Sequence, residues 1–333
     1  MRYELLGLSG LRVSKICLGT AWFGLGPTVE EAPRVVNRAL DLGINFFDCA
    51  NTYGNRASFD REGIAPASER PSAEEMLGAA LKGRRQDVII TSKVQEKTGE
   101  GPNEGGPGGG GLTRRHIMQQ VERSLRRLQT DYIDVYYAHH PDPTTPLDQT
   151  LRAFEDLVRQ GKVRYFALST FPAWQIMHAL WLCDSLGLNT PVCLQQRYNL
   201  ADRFVETEIV PACLKFGLSM TAFSPLGGGL LTGPATRSRV YTGRARMSMP
   251  GPPFSEDEVK TAEALDELSS QWELDPASVG LAWLLARPAL TSAIVGPETV
   301  EELETAVAAE SVQLSPDQVA ALDALAPPAR VRF

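Results

Sequence analysis

The chain has 333 residues, of which 43% are hydrophobic and 22% are charged, and its formal net charge is −7. This length suffices for a large buried core, while the acidic balance argues against a general nucleic-acid-binding surface. No apolar run of about 18 residues and no signal-peptide pattern occurs, so the sequence predicts a cytoplasmic protein without membrane insertion.

The cysteines give no sign of a cross-linked or metal-bound framework. Their number is odd and none shows Cys-x-x-Cys spacing, so reduced, buried thiols are predicted instead of disulfides or a zinc site. No other ligand pattern for a metal is visible. The five residues are Cys17, Cys49, Cys183, Cys193 and Cys213.

The predicted elements begin with a β-hairpin, because strand-like runs at 3–6 and 11–13 are joined through Ser9-Gly10. A first strand of a larger sheet follows at 16–18. Further strands are predicted at 44–48, 88–92, 133–138, 163–168, 192–195, 219–223 and 291–295. Helices are predicted at 29–42, 72–82, 113–128, 147–160, 172–186, 205–216, within 255–273, and at 276–286, 299–309 and 316–325.

Eight strands that alternate with helices indicate either a parallel barrel or a doubly wound sheet. The even spacing favours the barrel, as does the lack of a Gly-x-Gly-x-x-Gly sequence after the first strand. We therefore predict one α/β domain over 1–333, a (β/α)8 TIM barrel with an N-terminal hairpin and extra C-terminal helices. The last helix has a clear start at Ser315-Pro316, an N-cap followed by proline.

Polar residues follow the strand at 44–48 at once, with Asp48 at its end and Tyr53 shortly after. Lys93 ends the next strand-like run, and His139 ends the one after that. The carboxyl ends of barrel strands meet at one face, where barrel enzymes keep their active sites. Each residue alone has an ordinary structural explanation, but four of them at three successive strand ends favour catalysis.

These four residues resemble the catalytic signature of the aldo-keto reductases. The resemblance implies hydride transfer from NADPH, with NADH as the alternative, to a small aldehyde or ketone, with Tyr53 as the general acid. A tyrosine hydroxyl has a pKa of about 10, so it needs a cation to favour its ionised form. Lys93 can be that cation, Asp48 can hold Lys93, and His139 can hydrogen-bond the carbonyl oxygen. Trp22 is predicted to form a wall of the substrate site, whereas His140 is assigned to packing.

Further matches imply the dinucleotide-binding residues. The runs 167–171 and 194–199 resemble segments whose Ser, Asn and Gln hold the nicotinamide carboxamide, with Thr170 in place of the Asn. Phe223 stands where an aromatic residue stacks on the nicotinamide ring, and the loop after it offers backbone groups to the pyrophosphate. The cofactor residues predicted on these matches and on the first strand's end are Gly19, Thr20, Asp48, Ser169, Thr170, Gln195, Phe223, Ser224, Pro225, Leu226 and Gly228.

The sequence departs from the family pattern at the residues expected to hold the adenosine end of the cofactor. Glu298 stands two residues after Gly296, where relatives carry Arg, Lys or Ser, and Glu302 lies on the next helix. A carboxylate repels the 2′-phosphate of NADPH. Two explanations compete: the protein uses NADH, or arginines of the preceding loop bind the phosphate. Arg244 is the first choice among Arg237, Arg239, Arg244 and Arg246.

Two stretches interrupt the alternation. The insertion at 55–71 is predicted to border the substrate, and the glycine-rich stretch at 99–111 is a loop, because it lacks the Lys-Ser/Thr ending of a P-loop. Together with 232–250, the insertion is expected to determine the substrate.

Two other functions stay open. The runs 111–117 and 141–146 resemble the family branch that includes the potassium-channel beta subunits, which implies a cofactor-binding regulatory partner. The polar insertion also suggests a sugar-pathway reductase or dehydrogenase. Neither the oligomeric state nor the substrate can be predicted from the sequence.

Overall fold

The computed structural model describes residues 1–57, 60, 65–106, 109–241 and 254–328, without the side chains of 239–241. Its strands alternate with helices along the chain. They are β1 (Tyr3–Leu5), β2 (Arg12–Ser14), β3 (Ile16–Gly19), β4 (Phe46–Asp48), β5 (Ile89–Val94), β6 (Ile133–Ala138), β7 (Val163–Ser169), β8 (Cys193–Arg197), β9 (Ser219–Phe223) and β10 (Leu290–Val295).

Eight of these strands close into a barrel in the order β10-β3-β4-β5-β6-β7-β8-β9, and every pairing in it is parallel. The predicted (β/α)8 barrel is therefore confirmed. In the register of β4 and β5, Asp48 pairs with Thr91, while Lys93 of β5 pairs with Tyr137 of β6. Asp48 and Lys93 thus lie near the carboxyl ends of neighbouring strands.

Helices surround the barrel. They are α1 (Ala32–Asp41), α2 (Ala73–Ala80), α3 (Arg114–Leu128), α4 (Leu147–Arg159), α5 (Ala173–Leu186), α6 (Ile209–Phe216), α7 (Pro234–Tyr241), α8 (Glu256–Gln271), α9 (Pro276–Leu285), α10 (Val300–Ala308) and α11 (Pro316–Leu325). None of the described helices is long and apolar enough to cross a membrane.

Two helical regions differ from the sequence prediction. The helix expected at 205–216 is divided into a 3-10 turn, Phe204–Glu206, and α6, because Glu208 has a non-helical φ of −135°. Helix α7 was not predicted, since its sequence has little hydrophobic periodicity. Local capping does explain other boundaries. Ser315 caps α11 as expected, and its hydroxyl accepts a hydrogen bond from the Gln318 amide.

The N-terminal hairpin of β1 and β2 closes the amino-terminal end of the barrel. The Gly7 amide and the Leu5 carbonyl both hydrogen-bond the hydroxyl of Ser219, at the start of β9. Gly7 has φ +55°, and a Cβ there would lie 2.2 Å from the Val192 carbonyl oxygen. Only glycine therefore allows this close approach. Leu6 and Val13 of the hairpin region pack against the residues inside the barrel.

Alternation along the strands separates two apolar clusters. One side of each strand packs against the helices, while the other fills the barrel interior with Cys17, Phe46, Val135, Tyr137, Ala167 and Cys193. All five cysteines are buried and unpaired. Because side chains alternate, residues two positions after these interior residues also point inward, at the carboxyl end of the barrel.

Candidate active site

The interior positions at the carboxyl end of the barrel carry polar side chains. They are Asp48, Lys93, His139, Ser169 and Gln195. Each lies an even number of residues along the chain from an apolar residue that belongs to, or packs against, the cluster inside the barrel, so its side chain points to the same side of the strand. All of them are buried. The alternation that fills the barrel with apolar groups thus gathers these groups at its mouth.

A cavity of about 540 Å³ opens at this end. Its lining includes most of the predicted site residues. They are Gly19, Trp22, Asp48, Tyr53, His139, Ser169, Thr170, Gln195, Phe223, Ser224, Pro225, Leu226, Gly228, Gly296, Glu298 and Glu302. Thr20 is not among the lining residues, because its side chain is buried and donates a hydrogen bond to the Asp48 carbonyl at 2.9 Å.

A buried ion pair lies beneath the cavity floor. Lys93 Nζ is 2.5 Å from Asp48 Oδ2 and also donates to the Cys49 carbonyl at 2.9 Å. Thr91 and Gln195 donate to Asp48 Oδ1 at 2.7 and 2.8 Å. Burial alone lowers the pKa of Lys93, but Asp48 outweighs it and holds that pKa above its ordinary value. Lys93 is therefore a cation at neutral pH.

Tyr53 lies over this cation. Lys93 Nζ is 4.7 Å from the centroid of the Tyr53 ring, and the Tyr53 hydroxyl is 3.4 Å from His139 Nε2. Burial raises the pKa of the Tyr53 hydroxyl, while Lys93 acts in the opposite direction and only partly offsets it. The hydroxyl is thus protonated at neutral pH, and Lys93 limits the cost of ionising it.

His139 is uncharged in this environment. Burial is the main cause that holds its pKa well below 6.5, and the nearby positive charge of Lys93 acts in the same direction. One ring nitrogen, Nε2, faces Tyr53, and the other, Nδ1, has no hydrogen-bond partner among the described residues. A neutral imidazole offers one N–H donor and one acceptor.

A polar network beside His139 was not predicted. Glu96 Oε1 lies 2.8 Å from Arg56 Nη2 and 3.3 Å from His140 Nε2. His140 Nδ1 is in turn 2.7 Å from the hydroxyl of Thr170. Arg56 belongs to the insertion at 55–71, and Glu96 follows β5 by two residues. No local pattern marks such a network, because its members come from four separate loops.

Glu96, His139 and His140 lie close enough together to suggest a metal site. Their geometry does not suit one. The two imidazole rings are stacked, with centroids 4.4 Å apart and planes at 13°, so their lone pairs lie in nearly parallel planes and cannot converge on one ion. The Glu96 carboxylate also forms an ion pair with the Arg56 guanidinium. The cluster is better described as an ion-paired network.

The residues expected to hold the nicotinamide lie on β7, β8 and β9. A carboxylate only accepts hydrogen bonds, so Gln195 donates its side-chain N–H to Asp48. The side-chain carbonyl oxygen of Gln195 can then accept a hydrogen bond from a ligand. Thr170 and Ser224 have φ values of +59° and +50°, a conformation that favours glycine or asparagine. Such strain is commonly found at functional sites.

The other end of the cavity is acidic. Carboxylates of Asp275, Glu298, Glu301 and Glu302 line it, and no Lys or Arg of the described chain does. The Glu302 carboxylate accepts a bond from the Glu298 amide at 2.7 Å, just before the start of α10, and the Thr299 hydroxyl accepts one from the Glu302 amide at 3.2 Å. Helix N-termini attract anions. At α10 that place is already taken by a side chain.

The loop arginines are only partly described. Arg237 is buried, donates to the Leu230 carbonyl at 2.8 Å and forms an ion pair with Asp266, so it is committed to the fold. Arg244 and Arg246 lie outside the described residues, as does the side chain of Arg239.

Comparison with known proteins agrees with this geometry. Residues 15–327 match the model of the Aldo/keto reductase family. The chain is 37% identical to the uncharacterized oxidoreductase YrpG of Bacillus subtilis (strain 168), over 98% of this chain and 96% of that protein. It is 34% identical to a probable voltage-gated potassium channel subunit beta of Oryza sativa subsp. japonica, over 89% and 87% of the two chains.

A third relative is versiconal hemiacetal acetate reductase of Aspergillus parasiticus, which is 31% identical over 97% of this chain and 96% of its own length. The family match extends across the barrel and includes all the strand ends that form the site. The chain therefore belongs to the aldo/keto reductase family of oxidoreductases.

Proposed function

We propose that the protein reduces an aldehyde or ketone to an alcohol with a nicotinamide dinucleotide, and that Tyr53 is the general acid. The observation that carries this proposal is the position of the Tyr53 hydroxyl. It faces the cavity between a buried cation, Lys93, and a neutral imidazole, His139. These are the groups that carbonyl reduction needs around a proton donor.

When bound, the reduced dinucleotide supplies the hydride. The chain's own residues manage the charge and the proton. Tyr53 is protonated at neutral pH and gives its proton to the oxygen of the carbonyl as negative charge develops there. Lys93 stabilises the phenolate that remains, and Asp48 keeps Lys93 charged. His139 donates from Nε2 to the same oxygen and orients the carbonyl, with Trp22 as a wall.

The lining of the cavity fits such a cofactor. The Gln195 carbonyl oxygen can accept from a carboxamide, and Ser169 lies at the neighbouring strand end. Phe223 offers a ring face beside them. Gly228, with φ +68°, belongs to a turn without side chains that lets a pyrophosphate approach the backbone.

The acidic outer end favours NADH over NADPH. A 2′-phosphate near Glu298 and Glu301 would meet carboxylates, and the amides of Glu298 and Glu302 around the start of α10 already donate to side chains. The competing explanation keeps NADPH and assigns the phosphate to Arg244. Titration of the protein with each dinucleotide, followed by tryptophan fluorescence, separates the two. Tighter NADPH binding that weakens in Arg244→Ala supports the second explanation.

Replacement of Tyr53 by Phe tests the proposed function. We expect turnover of simple aldehydes to fall by about 100- to 10,000-fold, because the ring remains while the acid is lost. Cofactor affinity should stay close to that of the wild type. Tyr132→Phe is the matched control, since its hydroxyl lies on the barrel exterior near Gln86. Undiminished turnover in Tyr53→Phe would exclude Tyr53 as the acid.

A regulatory, partner-binding role is a second candidate, favoured by the relative named as a potassium channel subunit beta. Slow turnover with tight cofactor retention would support it. Rapid turnover of simple aldehydes would support the enzyme, and a preference for keto-sugars over aromatic aldehydes would support a sugar-pathway reductase.

A further inference from the structure

The imidazole of His139 lacks the hydrogen bond that commonly orients a catalytic histidine. Such a bond is usually made by the second ring nitrogen. Nδ1 of His139 is buried without a partner among the described residues, and Glu96 Oε1, at 3.8 Å, is beyond hydrogen-bond range. The side chain is only 9% exposed. Its orientation must therefore come from packing.

The ring of His140 supplies that packing. It lies flat on His139, with centroids 4.4 Å apart and planes at 13°. Tyr53 meets His139 edge-on, at 5.8 Å and 74°. A stacked ring and an edge contact together limit rotation of the His139 ring. They maintain the 3.4 Å distance between its Nε2 and the Tyr53 hydroxyl.

His140 is itself held at both nitrogens. Nδ1 is 2.7 Å from Thr170 Oγ1, and Nε2 is 3.3 Å from Glu96 Oε1. Because a carboxylate only accepts, Nε2 carries a proton there. The ion pair with Arg56, at 2.8 Å, holds Glu96 in place. Rotation of the His140 ring would lose contacts at both nitrogens.

Thr170 carries backbone strain at this point. Its φ of +59° is rare for a β-branched residue, so this backbone conformation is strained. Its hydroxyl lies 2.7 Å from the Ser169 carbonyl, 3.2 Å from the His139 carbonyl and 2.7 Å from His140. A hydroxyl has one proton. That proton goes to a partner within the protein, so the Thr170 hydroxyl could meet a carboxamide only as an acceptor.

We propose that His140 is a positioning residue for His139, and that Thr170, Glu96 and Arg56 hold His140 in place. The inference rests on the proposed function, in which His139 orients the carbonyl. It reassigns Thr170 from cofactor binding to the support of His140. It also accounts for a strained threonine where an asparagine would adopt the same backbone more easily.

Thr170→Val tests this assignment, because it keeps the branched shape and removes only the hydroxyl. We expect kcat to fall about tenfold, since small misplacements of reacting groups are costly, while the cofactor Kd changes by less than about twofold. Thr170→Ser restores the hydroxyl and should recover most of the loss. Thr150→Val is the matched control, because it removes a buried hydroxyl that donates to Leu112 on the outer side of the barrel.

A readout independent of turnover is available in the histidine side chains, of which the chain has only four. In 15N-detected spectra of the cofactor-free protein, Thr170→Val should shift or broaden the ring resonances of His139 and His140, while those of His178 stay unchanged. If the wild type reduces no carbonyl, the proposed function fails, and these spectra still test whether Thr170 holds the two rings.

Two results would overturn the proposal. One is unchanged kcat and unchanged histidine spectra in Thr170→Val. The other is a cofactor Kd that weakens about tenfold at constant kcat, which would return Thr170 to the carboxamide site.

Discussion

The two ends of the cavity differ in how their charged side chains are arranged. At the barrel end, the charges of Asp48 and Lys93 are buried and paired, and three further hydrogen bonds hold them. At the outer end, Glu301 and Glu302 are exposed and share one sign. A buried charge without a partner is very costly, whereas an exposed charge is screened by water and salt. We therefore expect a substitution at the buried pair to cost much more than a substitution at the outer carboxylates.

Breaking the buried pair should give the largest effect. Lys93→Met leaves the Asp48 carboxylate buried without its cation, so we expect the free energy of unfolding to fall by about 3–5 kcal/mol. Turnover should fall at least about 100-fold, because the phenolate of Tyr53 loses its stabilising charge. Urea unfolding and aldehyde reduction measure the two effects.

Lys97→Met is the matched control for this experiment, because Lys97 forms an exposed pair with Glu100 at 2.8 Å. Exposed pairs contribute little to the free energy of unfolding. Equal stability losses in the two variants would mean that the pair at Asp48 has no special role.

Reversing one outer charge should give a smaller, selective effect. Glu298→Lys is expected to tighten NADPH binding about tenfold relative to NADH, because it replaces repulsion of the 2′-phosphate by attraction. Aldehyde turnover at saturating cofactor should remain. Glu263→Lys makes the same change of net charge at an exposed position that does not line the cavity. A similar Kd ratio in both variants would assign the effect to net charge alone.

The network at Glu96 predicts the smallest effect, on stability at acid pH. Burial raises the pKa of Glu96, but His140 and Arg56 outweigh it and lower the pKa below its usual 4.5. The stabilisation is therefore complete above about pH 4.5 and is lost as the pH falls through the lower folded value. Glu96→Gln should remove about 1 kcal/mol or less of this dependence. Thermal midpoints between pH 3 and 6, compared with those of Glu263→Gln at an exposed helix position, measure it.

The fold was predictable because its signal is repeated. Eight strand-like runs at regular intervals limit the topology, and in a parallel barrel their polar ends must meet. Asp48, Lys93 and His139 could be predicted to meet for that reason, since each lies within one residue of the end of its strand. The 3-10 turn before α6 was not predicted, because the sequence pattern there remains helical through Glu208.

The network around His140 could not be predicted in the same way. Arg56, Glu96 and Thr170 lie in loops after three different strands, and nothing in their spacing shows that they meet. The sequence assigns His140 to packing, because the family resemblance rests on its neighbour His139. The strain at Thr170 is visible only in backbone angles. The sequence thus predicted the proposed catalytic groups more readily than the residues that pack around them.

The hairpin that closes the amino-terminal end has a kinetic consequence. Gly7 brings the hairpin close to the Val192 carbonyl, and among the described residues the packed interior cluster fills the barrel between this end and the cavity. Molecules reach Tyr53 through the cavity at the carboxyl end of the barrel. On the proposed function, we therefore expect the molecule that lies deeper in the cavity to bind first and to leave last.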